Sequence, residues 1–261
     1  MRKHTKRVLS FSMFFFALCI ISFGESAEKQ VTTVILDSGH GGSDQGGYDG
    51  RGFKLEDGRR VPEDAYAFDI ALRIARFTKS KRWNSRFTVI SERTIQEESP
   101  GSILPALFDL TYNNMPREKI RVFGGKEGVR KRIDVIRQMP GIDQTNAIFI
   151  ALHFDYAPPH VSGTRIFTTG SGSKHPFVKI LAKHFSAAGL SLHIRSNKAE
   201  AITINEKLIV LKDGILQPRV LIEFGNFNNQ RDRALMMSPH GRELYAYTVV
   251  AAIEEYISSQ P

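Results

Sequence analysis

The sequence predicts one α/β domain, built on a twisted, mixed and mostly parallel sheet with helices on both faces. Three observations predict it. Short apolar runs rich in β-branched residues alternate along the chain with segments whose apolar residues recur at helical spacing. Two of the runs, 147–153 (AIFIALH) and 219–224 (RVLIEF), are almost continuously apolar, as strands covered on both faces are. No internal repeat and no Pro/Ser-rich linker divides the chain.

Taken in order, residues 31–37 (VTTVILD) form a first strand, followed by a turn-rich stretch over 38–47. The polar segment 48–60 reads as an exposed loop or hairpin. Pro62 opens a helix with a stripe of Tyr66, Ile70, Ile74 and Phe77, flanked by Phe68 and Leu72. Residues 86–91 form a second strand. Segment 94–130, with Pro100, Pro105, Pro116 and the Gly124-Gly125 pair, reads as an inserted, partly helical excursion. A short helix over 131–139 leads to the buried strand 147–153. Shorter strands follow at 164–168 and 208–211. Between them Phe177, Ile180, Leu181, His184 and Phe185 make one helical face that ends at Gly189. After the strand 219–224, a last helix carries Ala246, Val249, Val250, Ile253 and Ile257 on one side.

Composition narrows the function classes. With 261 residues, 41% hydrophobic and 24% charged, the chain buries a real core, which excludes wholesale disorder. The single cysteine, Cys19, excludes an internal disulfide and a Cys-based zinc ribbon, so a metal site must use His, Asp and Glu. Arg2, Lys3, Lys6 and Arg7 precede an uncharged apolar run, and small residues follow at Gly24 and Ser26, so residues 1–26 read as a secretory signal peptide and 27–261 as the mature domain. An uncleaved anchor is the alternative; a lipoprotein is excluded because Leu18, not a small residue, precedes Cys19. Cleavage lowers the formal charge from +9 to +6. The expectation is an exported, periplasmic or extracellular protein with no stable membrane anchor, meeting an anionic envelope. Lys and Arg are scattered without a nucleic-acid signature, and a monomer is the default.

Ligands in open α/β sheets bind beyond the carboxyl ends of strands. Three apolar runs end there in a reactive side chain: VTTVILD leads into His40, AIFIAL into His153, and RVLI into Glu223. Two imidazoles and a carboxylate suit a hydrolytic zinc site, which keeps one position open for water. Each has a plainer reading: a turn residue for His40, a satisfied half-buried ring for His153, a buried ion-pair partner for Glu223. Gly39, Gly41, Gly42, Gly46 and Gly47 let the backbone pass close to a ligand. A phosphate-binding loop fails, because Asp44 stands at the third glycine of G-x-G-x-x-G and no Gly-Lys-Ser/Thr is present.

VILDSGHGGSDQGG, PEDAYAFDIALRIA, AIFIALHFD, SGTRIFTT and PRVLIEFGNFNN, in that order, resemble the zinc-dependent N-acetylmuramoyl-L-alanine amidases of the Amidase_3 type. The resemblance runs from about Val31 to the last helix. It implies one Zn²⁺ held by His40, Glu63 and His153, with Glu223 as general base. The implied reaction is metal-assisted hydrolysis of the amide between N-acetylmuramic acid and L-alanine in peptidoglycan. Glu63 is assigned by aligning AFDIAL with the family's helix; Asp64 is one residue out of that register, and Glu56 and Asp57 are further rivals. Taken alone, Glu63 also reads as a first-turn acid favouring a helix N-terminus. Departures from the family pattern are a long 47–63 loop, Ala67 in place of Asn, Phe154 in place of a small residue, and Asn226 inserted after Glu223. Phe154 and Asn226 are expected to reshape the substrate groove.

The other histidines read as non-ligands: His175 at a helix start, His184 in the core or behind the site, and His160, His193 and His240 on the surface. Arg132 reads as a structural salt-bridge residue and Ser162-Gly163 as a structural turn. In some proteins of the family an added helix plugs the groove until an activator protein removes it. The 94–130 insertion carries Glu97, Glu98, Glu118 and Glu127, any of which suits that role; a surface decoration is the alternative. Two other functions compete. One is an exported zinc peptidase acting on wall peptides, although HExxH is absent; the other is a catalytically silent peptidoglycan-binding module.

Overall fold

The computed structural model describes residues 33–40, 44, 46–47, 49–88, 125–142, 147–190, 194–195, 198–199, 201–212 and 216–260. Its elements in chain order are β1 (Thr33–Ser38), β2 (Phe53–Lys54), β3 (Arg60–Val61), α1 (Glu63–Ser80), β4 (Asn84–Phe87), α2 (Gly125–Gln138), β5 (Ala147–Asp155) and β6 (Arg165–Thr168). Then come α3 (Pro176–Ala187), β7 (Ile194–Arg195), β8 (Lys198–Ala199), β9 (Ile202–Ile204), α4 (Ile209–Lys212), β10 (Arg219–Asn226), α5 (Gln230–Met237) and α6 (Pro239–Ser258).

The main sheet has the order β4-β1-β5-β10-β6-β9. β4, β1, β5 and β10 run parallel, β6 pairs antiparallel with β10, and β9 runs with β6. Period-2 alternation splits each central strand between two cores. Val34, Leu36, Ile148, Ile150, Leu152, Val220 and Ile222 face α1, α3 and α6. Ile35, Phe149, Ala151 and Leu221 face the other way, against Ile136 of α2 and Val210 and Leu211 of α4. Helices therefore cover both faces, as the sequence predicts.

α1 begins where Pro62, which cannot donate a backbone hydrogen bond, sets the N-terminus. It lies between the sheet and α6 and is buried on nearly all sides of its first three turns. Among the groups buried there is Asp69, which accepts from Arg73 Nε of its own helix at 2.8 Å and from Arg242 Nε of α6. Arg242 also donates through Nη1 to the Met236 and Met237 carbonyls at 3.0 and 2.8 Å, closing the end of α5. On the other face of the sheet Arg132 of α2 donates to Asp37 of β1 at 2.7 Å, the structural salt bridge expected of it.

Three local expectations change. Residues 208–211 are not a strand: Ile209–Lys212 is a helical turn burying Val210 and Leu211. A short apolar run carries no period that separates strand from buried helix. β6 pairs with β10 on one side and with β9 on the other; β9, three residues long, was missed for its brevity. β4 starts and ends earlier than 86–91, and residues 89–91 lie outside the described ones. α2 starts at Gly125, within the stretch assigned to the 94–130 insertion; residues 94–124 of that stretch, and residues 1–26, expected to be a leader, lie outside the described residues. Among the described residues no helix is long and apolar enough to cross a membrane.

Candidate metal centre

Three strand ends and one helix start meet at the carboxyl edge of the sheet. Directly after β1, Gly39 N donates to the Leu152 carbonyl of β5 at 2.8 Å, which ties the following loop to the sheet. His40 then takes φ 63°, a left-handed conformation that costs energy in a non-glycine residue and turns its ring back over the edge. His153 is the last-but-two residue of β5, and Glu63 is the first of α1.

The Glu63 carboxylate lies between the two rings. Its Oε2 is 3.2 Å from His40 Nε2 and its Oε1 is 3.1 Å from His153 Nδ1. Backbone donors fix it from behind, Phe154 N–H to Oε1 at 3.0 Å and Gly47 N–H to Oε2 at 3.4 Å. The far side of His40 is held as well, Nδ1 meeting Asp44 Oδ1 at 3.1 Å. One ligand atom from each of His40, Glu63 and His153 falls within 4.8 Å of the others, the only such trio among the described residues. Two glycines make this approach feasible. A Cβ on Gly39 would lie 2.2 Å from His153 Cε1, and one on Gly46, at φ 79°, would lie 2.4 Å from Glu63 Oε2. These glycines thus make room for the candidate ligands themselves; Gly41 and Gly42 lie outside the described residues.

Electrostatically the trio is a buried carboxylate between titratable rings. Burial works to raise the Glu63 carboxyl, but the His40 charge and the hydrogen bonds from both rings outweigh it and hold the group well below the usual range. Burial works to lower His40, yet Glu63 and Asp44 carry it well above the ordinary imidazole value. For His153 burial wins, and its value falls. The fold has brought together two neutralisable nitrogens and an ionised oxygen, a donor set that fits Zn²⁺.

Glu223 stands opposite His153 in the β5–β10 register. The residue keeps partial exposure, but its Oε2 is covered and has no hydrogen-bond partner. Burial first, then the nearby Glu63 and Asp155 charges, push its carboxyl well above the ordinary value. Across the strand, Arg165 of β6 faces Glu223 and pairs with Asp155.

The rivals for Glu63 stand apart. Glu56 and Asp57 are exposed on the β2–β3 hairpin, and the buried Asp64 does not join the trio. Phe154 does not line a groove: alternation sends it opposite to His153, into the core against Phe224 and Phe227. Asn226 closes a β-bulge in β10, and its amide holds the loop after β5 through the Ala157, Pro158 and Val161 carbonyls. Glu127 is exposed on α2 and pairs with Lys131 at 2.9 Å, while Glu97, Glu98 and Glu118 lie outside the described residues. His175 caps α3 by accepting from Phe177 N–H, His184 meets Glu255, and His160 and His240 are exposed; His193 lies outside the described residues. Gly163 donates to Asp232, in keeping with a structural turn. Sequence reasoning missed Asp44 as the partner of His40, although the i, i+4 spacing of the two was visible, and missed Arg165 and Asp155 altogether, because strand register is not.

A profile of the N-acetylmuramoyl-L-alanine amidase family matches residues 34–255. Among solved structures, the N-acetylmuramyl-L-alanine amidase Ami1 from Mycobacterium smegmatis is 21% identical, with a TM-score of 0.60, covering 88% of this chain and 98% of its own. The CwlD amidase from Clostridioides difficile, solved in complex with the GerS lipoprotein, is 20% identical with a TM-score of 0.60, covering 88% of this chain and 100% of its own. The catalytic domain of CwlV from Bacillus (Paenibacillus) polymyxa var. colistinus is 18% identical with a TM-score of 0.58, with coverage of 88% and 100%. At such identities these likenesses show the fold. No curated protein matches the chain.

Proposed function

From the premise that this chain belongs to the N-acetylmuramoyl-L-alanine amidase family and is an amidase of that family, we propose that it is an exported zinc hydrolase of peptidoglycan. The bond cleaved joins the lactyl carbonyl of N-acetylmuramic acid to the amine of L-alanine. One observation carries the metal part of the reading: His40, Glu63 and His153 place their ligand atoms within 4.8 Å of one another, beside a buried Glu223 oxygen that lacks a partner.

His40, Glu63 and His153 would hold the ion. When bound, zinc supplies a Lewis acid that polarises the scissile carbonyl and lowers the pKa of water. Asp44 and the Gly47 and Phe154 amides keep the donors oriented, and removal of such outer contacts weakens metal sites. Glu223 accepts the proton of the attacking water as the C–O bond forms. It then passes that proton to the alanine nitrogen as the C–N bond breaks, leaving a lactyl carboxylate and a free amine. A carboxyl made proton-hungry by burial and by Glu63 and Asp155 suits both halves of that transfer.

The envelope setting rests on the charged, then apolar, start of the chain, with 1–26 as leader and 27–261 as catalytic domain. Regulation of the 94–130 insertion by an activator is a further part of the proposal; the likeness to an amidase solved with a lipoprotein supports it. Digestion of purified peptidoglycan, with and without a chelator and read by mass spectrometry, tests the whole. Intact stem peptides with a free L-alanine amine, lost with chelator and restored by zinc, are the expected result. Cleavage within the stem moves the chain to the peptidases, and zinc-free binding without cleavage makes it a wall-binding module.

A further inference from the structure

Three large apolar side chains are exposed among the described residues: Tyr156 at 48%, Ile204 at 56% and Tyr247 at 59%. Their places in the fold separate them. Ile204 ends β9, which runs opposite to β1, β5 and β10, so it sits at the sheet edge away from the metal ligands. Tyr247, on α6, meets Phe77 near the C-terminal end of α1, the end remote from Glu63. Tyr156 alone stands on the catalytic edge, three residues beyond His153 and directly after the Asp155 that pairs with Arg165.

Tyr156 is also a prepared surface. Its ring stacks on Phe53 of the β2–β3 hairpin, centroids 5.3 Å apart and planes 27° from parallel. Phe53 in turn stacks on Phe227 at 4.0 Å and 28°, and Phe227 is edge-on to Phe154 in the core. One face of Tyr156 is thus seated on a column anchored in the protein interior while the other meets solvent. A ring so held loses little rotamer freedom when something docks on it. The hairpin that supplies Phe53 belongs to the long loop ahead of Glu63, and Gly52 N in that loop bonds the Gly46 carbonyl at 3.0 Å, next to the Glu63 carboxylate. Loop, platform and metal ligands form one connected edge.

The substrate of the proposed amidase has two halves. The stem peptide begins with alanine and offers a methyl group and amides, with no flat apolar face. The glycan half offers pyranose rings, whose axial C–H bonds make a flat apolar face rimmed by hydroxyl and acetamido groups. An aromatic ring open on one side, with a phenolic hydroxyl at its tip, matches the second. We infer that Tyr156, seated on Phe53, is a saccharide-stacking subsite that takes the glycan strand beside the scissile bond, which makes strand-borne peptides the preferred substrate. The inference rests on the amidase reading for the identity of the substrate.

The test measures equilibrium binding of the full chain to peptide-free glycan strands, with peptide release from intact peptidoglycan followed in parallel. Tyr156→Ala is expected to weaken strand binding about tenfold, and Tyr156→Phe, which keeps the ring, to leave it within about twofold. For cleavage, Tyr156→Ala is expected to raise KM on long strands by a larger factor than on a single-sugar muramyl peptide. The inference is overturned if the unaltered chain does not bind strands, if Tyr156→Ala binds them equally well, or if that variant loses binding to free stem peptide instead. A chain that binds strands through Tyr156 but releases no peptide keeps the platform and refutes the amidase reading.

Discussion

Two of the ionisable clusters among the described residues are built differently. Between α1 and α6, Asp69 is bonded by Arg73 and Arg242, whose remaining contacts include Glu243, two main-chain carbonyls and the face of Tyr66. Its cations are guanidiniums, charged at every accessible pH. At the sheet edge, Glu63 meets two imidazoles, whose charge depends on pH, and Glu223 keeps an oxygen with no partner. The first cluster pairs its charges among the chain's own side chains, although Arg242 Nη2 is left without a hydrogen bond, and its product is a fixed α1–α6 contact. The second holds a carboxylate between two rings able to give up their protons, the arrangement that the proposed zinc would use. What separates the two is the kind of cation: guanidiniums keep their protons, whereas imidazoles can release theirs to a ligand.

The sharpest way to break this contrast is to remove the hub of the first cluster. Asp69→Ala strands two buried guanidiniums and is expected to cost about 3–5 kcal/mol in denaturant unfolding, while zinc content per folded molecule stays the same. A cost below about 1 kcal/mol denies the cluster its structural role. Next in size is Gly39→Ala, whose Cβ would lie 2.2 Å from His153 Cε1 and must displace the ring. Zinc affinity is expected to fall about 100-fold, measured by competition with a chelating dye. Asp44→Ala removes the acceptor of His40 Nδ1 and leaves the ligands in place, so a fall of about tenfold is expected in the same assay. If Asp44→Ala matches Gly39→Ala, orientation of His40 matters as much as the space for His153.

The smallest effect concerns stability and has a definite sign. Glu223 binds a proton more tightly folded than unfolded, where a Glu titrates near about 4.3. Its contribution is therefore full below that pH and is lost as pH rises through the elevated folded value. In chelator, Glu223→Gln should melt with the unaltered chain at acid pH and above it at neutral pH, by about 1 kcal/mol or more. Equal melting across the pH range contradicts the burial argument for this group.

Much of this is legible in the sequence. Strand alternation and helical spacing identify the sheet and its flanking helices, because burial on both faces leaves long apolar runs at 147–153 and 219–224. Those same runs make His40, His153 and Glu223 conspicuous, since a polar group ending an apolar strand has to be accounted for. Glu63 was not conspicuous. An acid in the first turn of a helix is ordinary, and only the resemblance to known amidases singled it out. Arg165 and Asp155 stayed hidden because they meet across strands joined by a register that no local pattern encodes. The direction of Phe154 was within reach, as the neighbour of an outward His153 on a strand must point inward. The column of Tyr156, Phe53 and Phe227 draws on three separate segments, and nothing local announces it.

The most direct test of the central claim is to measure zinc content and peptide release together on Glu223→Gln. The account predicts one zinc per chain, as in the unaltered protein, with release from peptidoglycan reduced by about 10²–10⁴-fold, the range general acid–base catalysis supplies. Release near the unaltered rate, with zinc bound, would contradict it and move the proton-transferring role away from Glu223.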